Sequence, residues 1–187
     1  MRSSLAYIEN YEEAYELING EEVMMSAASL PHLKVQGKLF NTIFNFLRGK
    51  KCEVFFEAKV VLDDKNWLQP DIVVVCDKNK QKHTYIDGAP DFVAEIISPT
   101  TQFRDIGVKK DLYEKFGVKE YWIIDPIAKN VIVYVLVDGK FALKSVHHKF
   151  SEEEWEGLDE RQKARQELTL KLSLYDDLEI GVDDIFE

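Results

Sequence analysis

The sequence lacks several things that would decide its class at once. It has no run of about 18 apolar residues, so no helix is expected to cross a membrane. Its start, MRSSLAYIENYEEAYELI, carries acids where a secretory signal would have a basic start and an apolar stretch. The protein is therefore expected to be cytoplasmic. Only two cysteines occur, Cys52 and Cys76, each inside an apolar run; they are expected to be separate core thiols rather than a disulfide framework or a zinc site. Internal repeats and low-complexity tracts are also missing.

A basic surplus is absent too. The formal charge is -10 over 187 residues, which would argue against a nucleic-acid partner, since phosphate binding needs cationic surface. The acids are unevenly placed, however. Residues 151–187 hold 13 acids against 4 bases, whereas residues 1–150 hold 21 against 20. A nearly neutral body can still present a basic face, and the candidates are the loop DKNKQKH at 77–83 and the pair Lys50 and Lys51.

With 45% hydrophobic and 12% aromatic residues, the chain can bury one full core, and its length suits one domain. YELINGEEVMMS reads as a hairpin turning at Asn19-Gly20. LPHLKVQGKLFNTIFNFLRGK has helical spacing at Leu33, Leu39, Ile43, Phe46 and Leu47, with Gly49 as a stop. Three strands are expected in CEVFFEAKVVLDD, DIVVVCD and DFVAEII. SPTT then leads into a helix over RDIGVKKDLYEKFGV, ending at Gly117, followed by the strand EYWIIDP and a hairpin turning at Asp138-Gly139. The segment 151–167 reads as a charged surface helix or insertion, and 168–187 as a returning strand and terminal turn. This order defines an α+β fold.

Three residues in this frame ask for chemistry. Glu95 interrupts the apolar strand APDFVAEIIS, where an ionised carboxylate costs several kcal/mol without a partner. Asp71 opens the strand DIVVVCD after Gln69-Pro70. If these strands are neighbours, two anions meet and call for a cation; oxygen ligands without His or Cys suit Mg²⁺ or Mn²⁺. At about 100° per residue, Lys109 falls near the centre of the apolar arc of its helix, beside Val108, Leu112, Tyr113 and Phe116. An acid pair with a lysine suits phosphodiester hydrolysis, in which carboxylates hold the ion while the lysine orients water or steadies developing charge. No organic cofactor is needed.

Other groups fit weaker or structural roles. Gln69 and Ser98 adjoin the acids, and Glu16, Glu22 or Tyr113 could reach them. Asp91 shares the strand face of Glu95 but lies about 13 Å along it, which suits a turn residue. His32 is read as a packing or capping residue. His147 and His148, adjacent on a strand, face opposite ways and cannot chelate together. A Ser98–Lys109 hydrolase pair lacks a glycine turn for an oxyanion.

The segments YELINGEEVMMSAASLPH, QPDIVVV, GAPDFVAEIISPT and RDIGVKKDLYEKFGVKEYWIIDP resemble, in order, the family of putative restriction endonucleases expanded in cyanobacteria, within the PD-(D/E)XK nuclease superfamily. The similarity covers about residues 12–147 and returns at LEIGVDDIF. The resemblance implies one domain over 1–187 with a restriction-endonuclease-like core, a central mixed β-sheet flanked by helices. It also implies Asp71 and Glu95 as the motif acids, and Mg²⁺-dependent DNA cleavage. The motif lysine would stand two residues after the acid, where this chain has Ile97; the matching lysine is Lys109 on the next helix. A homodimer is expected by analogy with enzymes that cut both strands. The alternative is a nuclease-fold module that binds DNA or dimerises without cutting.

Overall fold

The computed structural model describes residues 15–99, 102–175 and 177–187. The acidic N-terminal start, and Thr100 and Thr101 of the expected helix start, lie outside them.

The chain opens with a hairpin, β1 (Tyr15–Ile18) and β2 (Glu21–Met24). Asn19 and Gly20 both take positive φ, 54° and 85°, as the tight turn requires. Helix α1 (Leu30–Leu47) is capped by Ser29, whose Oγ accepts the His32 amide, and has Pro31 in its first turn. It buries Val35, Gln36, Leu39, Ile43 and Leu47, a stripe at i, i+4, i+8 and i+12. Leu33, expected in that stripe, is exposed.

CEVFFEAKVVLDD was expected as one strand, but the chain breaks at Glu57, which takes φ 49°. The halves, β3 (Glu53–Phe56) and β4 (Val60–Asp63), join different sheets. Then follow β5 (Asn66–Leu68), β6 (Ile72–Val75), β7 (Ile86–Asp87) and β8 (Phe92–Ile96). The next helix is not uniform: a short turn α2 (Gln102–Arg104) passes into a π-helical turn at 105–109 before α3 (Lys110–Phe116), which Gly117 ends at φ 86°. Strands β9 (Glu120–Asp125), β10 (Asn130–Val137) and β11 (Lys140–His148) form a meander turning at Asp138-Gly139. The charged segment forms two short surface helices, α4 (Glu152–Glu156) and α5 (Glu160–Lys163). The chain ends with β12 (Thr169–Lys171), β13 (Glu179–Gly181) and α6 (Val182–Phe186).

The central sheet is mixed, in the order β11-β10-β9-β8-β6-β3, with only β8 and β9 parallel. On one face α1, the β12–β13 pair and α6 cover Ile72, Val74, Phe92, Ala94, Ile96 and Trp122. On the other, the five-stranded sheet β2-β1-β5-β4-β7 and α3 cover Val73, Val75, Val93, Tyr121 and Ile123. Because both faces are packed, β6 and β8 are buried along their whole length, which is why their sequences read as continuous apolar runs.

The cysteines depart from expectation. Glu53 pairs with Val75, so Cys52 and Cys76 face one another across the ends of β3 and β6. They are joined by a disulfide, and no free thiol remains.

Candidate active site

Ile72 pairs with Ala94 and Val73 with Val93. Continued one step beyond β6, this register brings Asp71 across from Glu95, and the period of two gives Glu95 the face that Val73 and Val93 occupy. β8 is an interior strand, so Glu95 cannot escape to solvent at a sheet edge; it is 3% exposed.

What compensates it is a polar cluster. Glu95 Oε1 accepts from the Tyr113 hydroxyl at 2.7 Å and from Lys109 Nζ at 3.1 Å. The same ammonium lies 2.8 Å from Glu16 Oε1 and 3.5 Å from Asp105 Oδ1. Glu16 Oε1 also accepts the Gln69 amide at 2.9 Å, and Arg104 approaches its other oxygen at 3.9 Å. The Tyr121 hydroxyl donates to the Asp105 carbonyl at 2.9 Å, holding the π-helical turn against the sheet. That turn places Asp105 and Lys109 at the cluster, where π-turns are often found at functional sites.

Asp71 completes the edge. Its Oδ2 accepts the Ile96 amide at 2.6 Å, and its Oδ1 lies 3.0 Å from His32 Nε2. Gln36, one turn along α1, donates to the Asp71 carbonyl at 3.2 Å. Thus α1 and β8 together fix the orientation of this carboxylate.

The electrostatics are anionic. Burial pushes the Glu95 carboxyl well above its ordinary range; Lys109 opposes this, while Asp105, Asp71 and Glu16 add to it. Burial would lower the Lys109 ammonium, but Glu95, Glu16 and Asp105 outweigh it and hold the pKa above its usual value. Lys109 is therefore a fixed cation and not a base. Burial also lowers His32, yet its contact with Asp71 carries it upward overall. Among the described residues, no three Asp, Glu, His or Cys side chains are grouped closely enough to hold a metal ion alone.

Of the residues singled out from sequence, Asp71, Glu95, Lys109, Tyr113, Glu16 and the Gln69 backbone meet here. The Ser98 carbonyl accepts the Gln102 amide at the start of α2. Glu22 does not reach the cluster: it pairs with Leu17, whereas Glu16 pairs with Val23, so the two glutamates lie on opposite faces of the hairpin. Asp91 lies in the bend just before β8, as a turn residue would, and also braces it, accepting from the Cys76 amide at 2.8 Å and from Lys119 at 2.7 Å. His32, read from sequence as packing or capping, contacts the Asp71 carboxylate. Asp105 and Arg104 were missed; Asp105, four residues before Lys109, was the available signal.

The fold is shared with a solved structure. The chain superposes on a putative nuclease belonging to DUF820 from Anabaena variabilis with a TM-score of 0.72, at 20% identity, covering 94% of this chain and 90% of that one. It is also 27% identical over 166 residues to an uncharacterized protein of Synechocystis sp., covering 88% of this chain and 81% of the relative. Residues 3–174 match the model of the Uma2 family (Putative restriction endonuclease), and the chain belongs to that family.

Proposed function

We propose that this protein is a divalent-metal-dependent endonuclease acting on DNA, with Asp71 and Glu95 as the acidic ligands of Mg²⁺ or Mn²⁺. One observation carries the reading: Asp71 and Glu95 come from neighbouring positions at one end of β6 and β8, near enough for the Asp71 charge to act on Glu95, beside a cluster where the carboxylates Glu16, Glu95 and Asp105 outnumber the cations Lys109 and Arg104. A hard divalent cation suits this surplus of carboxylate oxygens, and Mg²⁺ commonly binds through one or two carboxylates with retained water. Bound there, the ion would polarise the scissile phosphate and acidify a water ligand.

The residues of the chain supply the rest. The Ile96 amide and His32 orient Asp71, and Tyr113 holds one oxygen of Glu95. Lys109, locked protonated, offsets the negative charge that grows as water oxygen bonds to phosphorus and the leaving P–O bond breaks. Plasmid nicking by the purified protein, abolished by EDTA and lost in Asp71→Ala, Glu95→Ala and Lys109→Ala, is the expected result. Equal nicking by all four proteins would assign it to a contaminant.

The deep burial of Lys109, 5% exposed, favours a second reading, a nuclease-fold module that binds DNA without cutting. It is distinguished by duplex binding without strand breaks in Mg²⁺ and Mn²⁺.

A further inference from the structure

His147 lies on the edge strand β11, where its ring is buried, and the site described above does not use it. It pairs with Val131, and Ser145 pairs with Val133. Both valines belong to the core beneath α1 and the β12–β13 pair, so these two polar side chains stand on the sheet face opposite the one that carries Glu95. Together they border a cavity of about 440 Å³, which Lys144, Leu168 and Lys171 also line. That volume is in the range of small-molecule sites.

The two nitrogens of the ring have unlike partners. Nδ1 lies 2.8 Å from the Glu167 carbonyl oxygen, which can only accept, so Nδ1 carries the proton of the neutral ring. Nε2 keeps its lone pair, and the Ser145 hydroxyl, 2.7 Å away, donates to it. The Glu167 carboxylate stands off at 4.0 Å from Nε2. A hydroxyl donating to an imidazole whose other nitrogen is held by a third group is the arrangement that activates a serine.

The same bonds would satisfy a buried histidine with no chemistry to do, but the strand beside it is built for more. Val133 pairs with Ser145 and Tyr134 with Leu143, which leaves Lys144 as the extra residue of a bulge in β11. In an unbroken strand consecutive residues face opposite ways, yet Lys144 and Ser145 line one cavity. Bulges re-aim side chains in this way and are frequent next to active sites. The Lys144 ammonium lies 3.0 Å from Ser173 Oγ and 3.5 Å from the Lys171 carbonyl, so a positive charge borders the same space as the hydroxyl.

We propose that Ser145 and His147 form a second reactive centre, a serine esterase site that takes carboxylic esters bearing an apolar group. Ser145 Oγ bonds to the ester carbonyl carbon as its proton passes to His147 Nε2, and the carbonyl π pair moves onto oxygen, where Lys144 offsets the charge. When that pair returns, the bond to the alcohol oxygen breaks and the alcohol leaves with the proton from His147. Water then adds to the acyl carbon by the same steps, and the carboxylic acid departs with Ser145 restored. The apolar group has a place to lie, since Leu168 also lines a second cavity, of about 230 Å³, walled by Phe150, Trp155 and Val182.

The test is release of p-nitrophenolate from p-nitrophenyl butyrate by the full chain, with the acylated residue located by peptide mapping after an acid quench. The wild type is expected to release it in a burst and to carry the butyryl group on Ser145. Ser145→Ala should lose the label and slow release at least about a hundredfold, and His147→Gln should lose about 10²–10⁴-fold, the usual weight of a positioned base. Lys144→Gln should lose at least about tenfold. Ser145→Cys, which keeps a nucleophile beside the imidazole, should still be acylated, which separates lost chemistry from lost folding. EDTA should leave ester release unchanged while it stops nicking, so this proposal and the nuclease reading can fail separately. Wild-type release by Ser145→Ala, a butyryl group found only on lysines, release lost in EDTA, or release by the wild type no faster than in buffer would overturn the proposal.

Discussion

The Lys109 ammonium lies closer to Glu16, at 2.8 Å, than to Glu95, at 3.1 Å. Glu16 comes from the opening hairpin, so this buried pair ties β1 to the turn before α3 and joins the two elements over the central sheet. Breaking a buried pair by removing one partner leaves the other charge uncompensated, at a cost of about 3–5 kcal/mol. Lys109→Met strands three carboxylates and should show this full loss in urea denaturation. Glu16→Gln, which can still accept the Gln69 amide, should lose about 1–3 kcal/mol. A Lys109→Met protein as stable as wild type would mean that the lysine does not neutralise the cluster.

Much of this was legible in the sequence, and the reasons for the rest are local. Glu95 and Lys109 announced themselves by standing on apolar periods, 2 in the strand and 3.6 in the helix. Glu16 gave only a weak signal, because a hairpin far away in sequence can reach the site only once the second sheet has folded over the first. The split at Glu57 depends on one residue in left-handed conformation, which propensity does not reveal. His32 carried two readings, a capping position and a contact, and only the packing of α1 against the end of β6 brings it to Asp71.

Metal linkage provides an assay that does not need turnover. A ligand that binds only the folded state stabilises it by about 2.7 kcal/mol at a hundredfold excess over Kd, which for a chain of this size is a rise of several degrees in Tm. Mg²⁺ or Mn²⁺ should raise the Tm of the wild type and leave Asp71→Ala unchanged. An equal rise in both proteins would place the ion somewhere other than beside Asp71.

Asp91 gives a pH dependence of known sign. Burial would raise its carboxyl, but the hydrogen bonds from Lys119 and the Cys76 amide, with the charges of Lys119 and Lys80, hold it below the usual range. As pH falls, the unfolded chain takes up this proton first. The contribution to stability is thus fully present above about pH 4 and is lost as pH falls through the lower folded value. Asp91→Asn should cost about 1–2 kcal/mol at neutral pH, the low end for a charged hydrogen bond because Lys119 is largely exposed. The difference from wild type should shrink below pH 4 in denaturation series; a gap that stays constant to pH 3 would count against the brace.

The Cys52–Cys76 bond joins the edge strand β3 to β6, just beyond the far end of the strand that Asp71 opens. It closes a loop with a sequence separation of 24, for which the chain-entropy model gives about 3.5 kcal/mol of stabilisation. A reductant should therefore lower the Tm of the wild type, and Cys52→Ser should show the lower value with or without it. Thiol titration of the protein unfolded without reductant should find no reactive sulfur. Two titratable thiols would restore the separate core cysteines expected from the sequence and leave β3 attached to the sheet by its backbone ladder and the side chains packed beneath it.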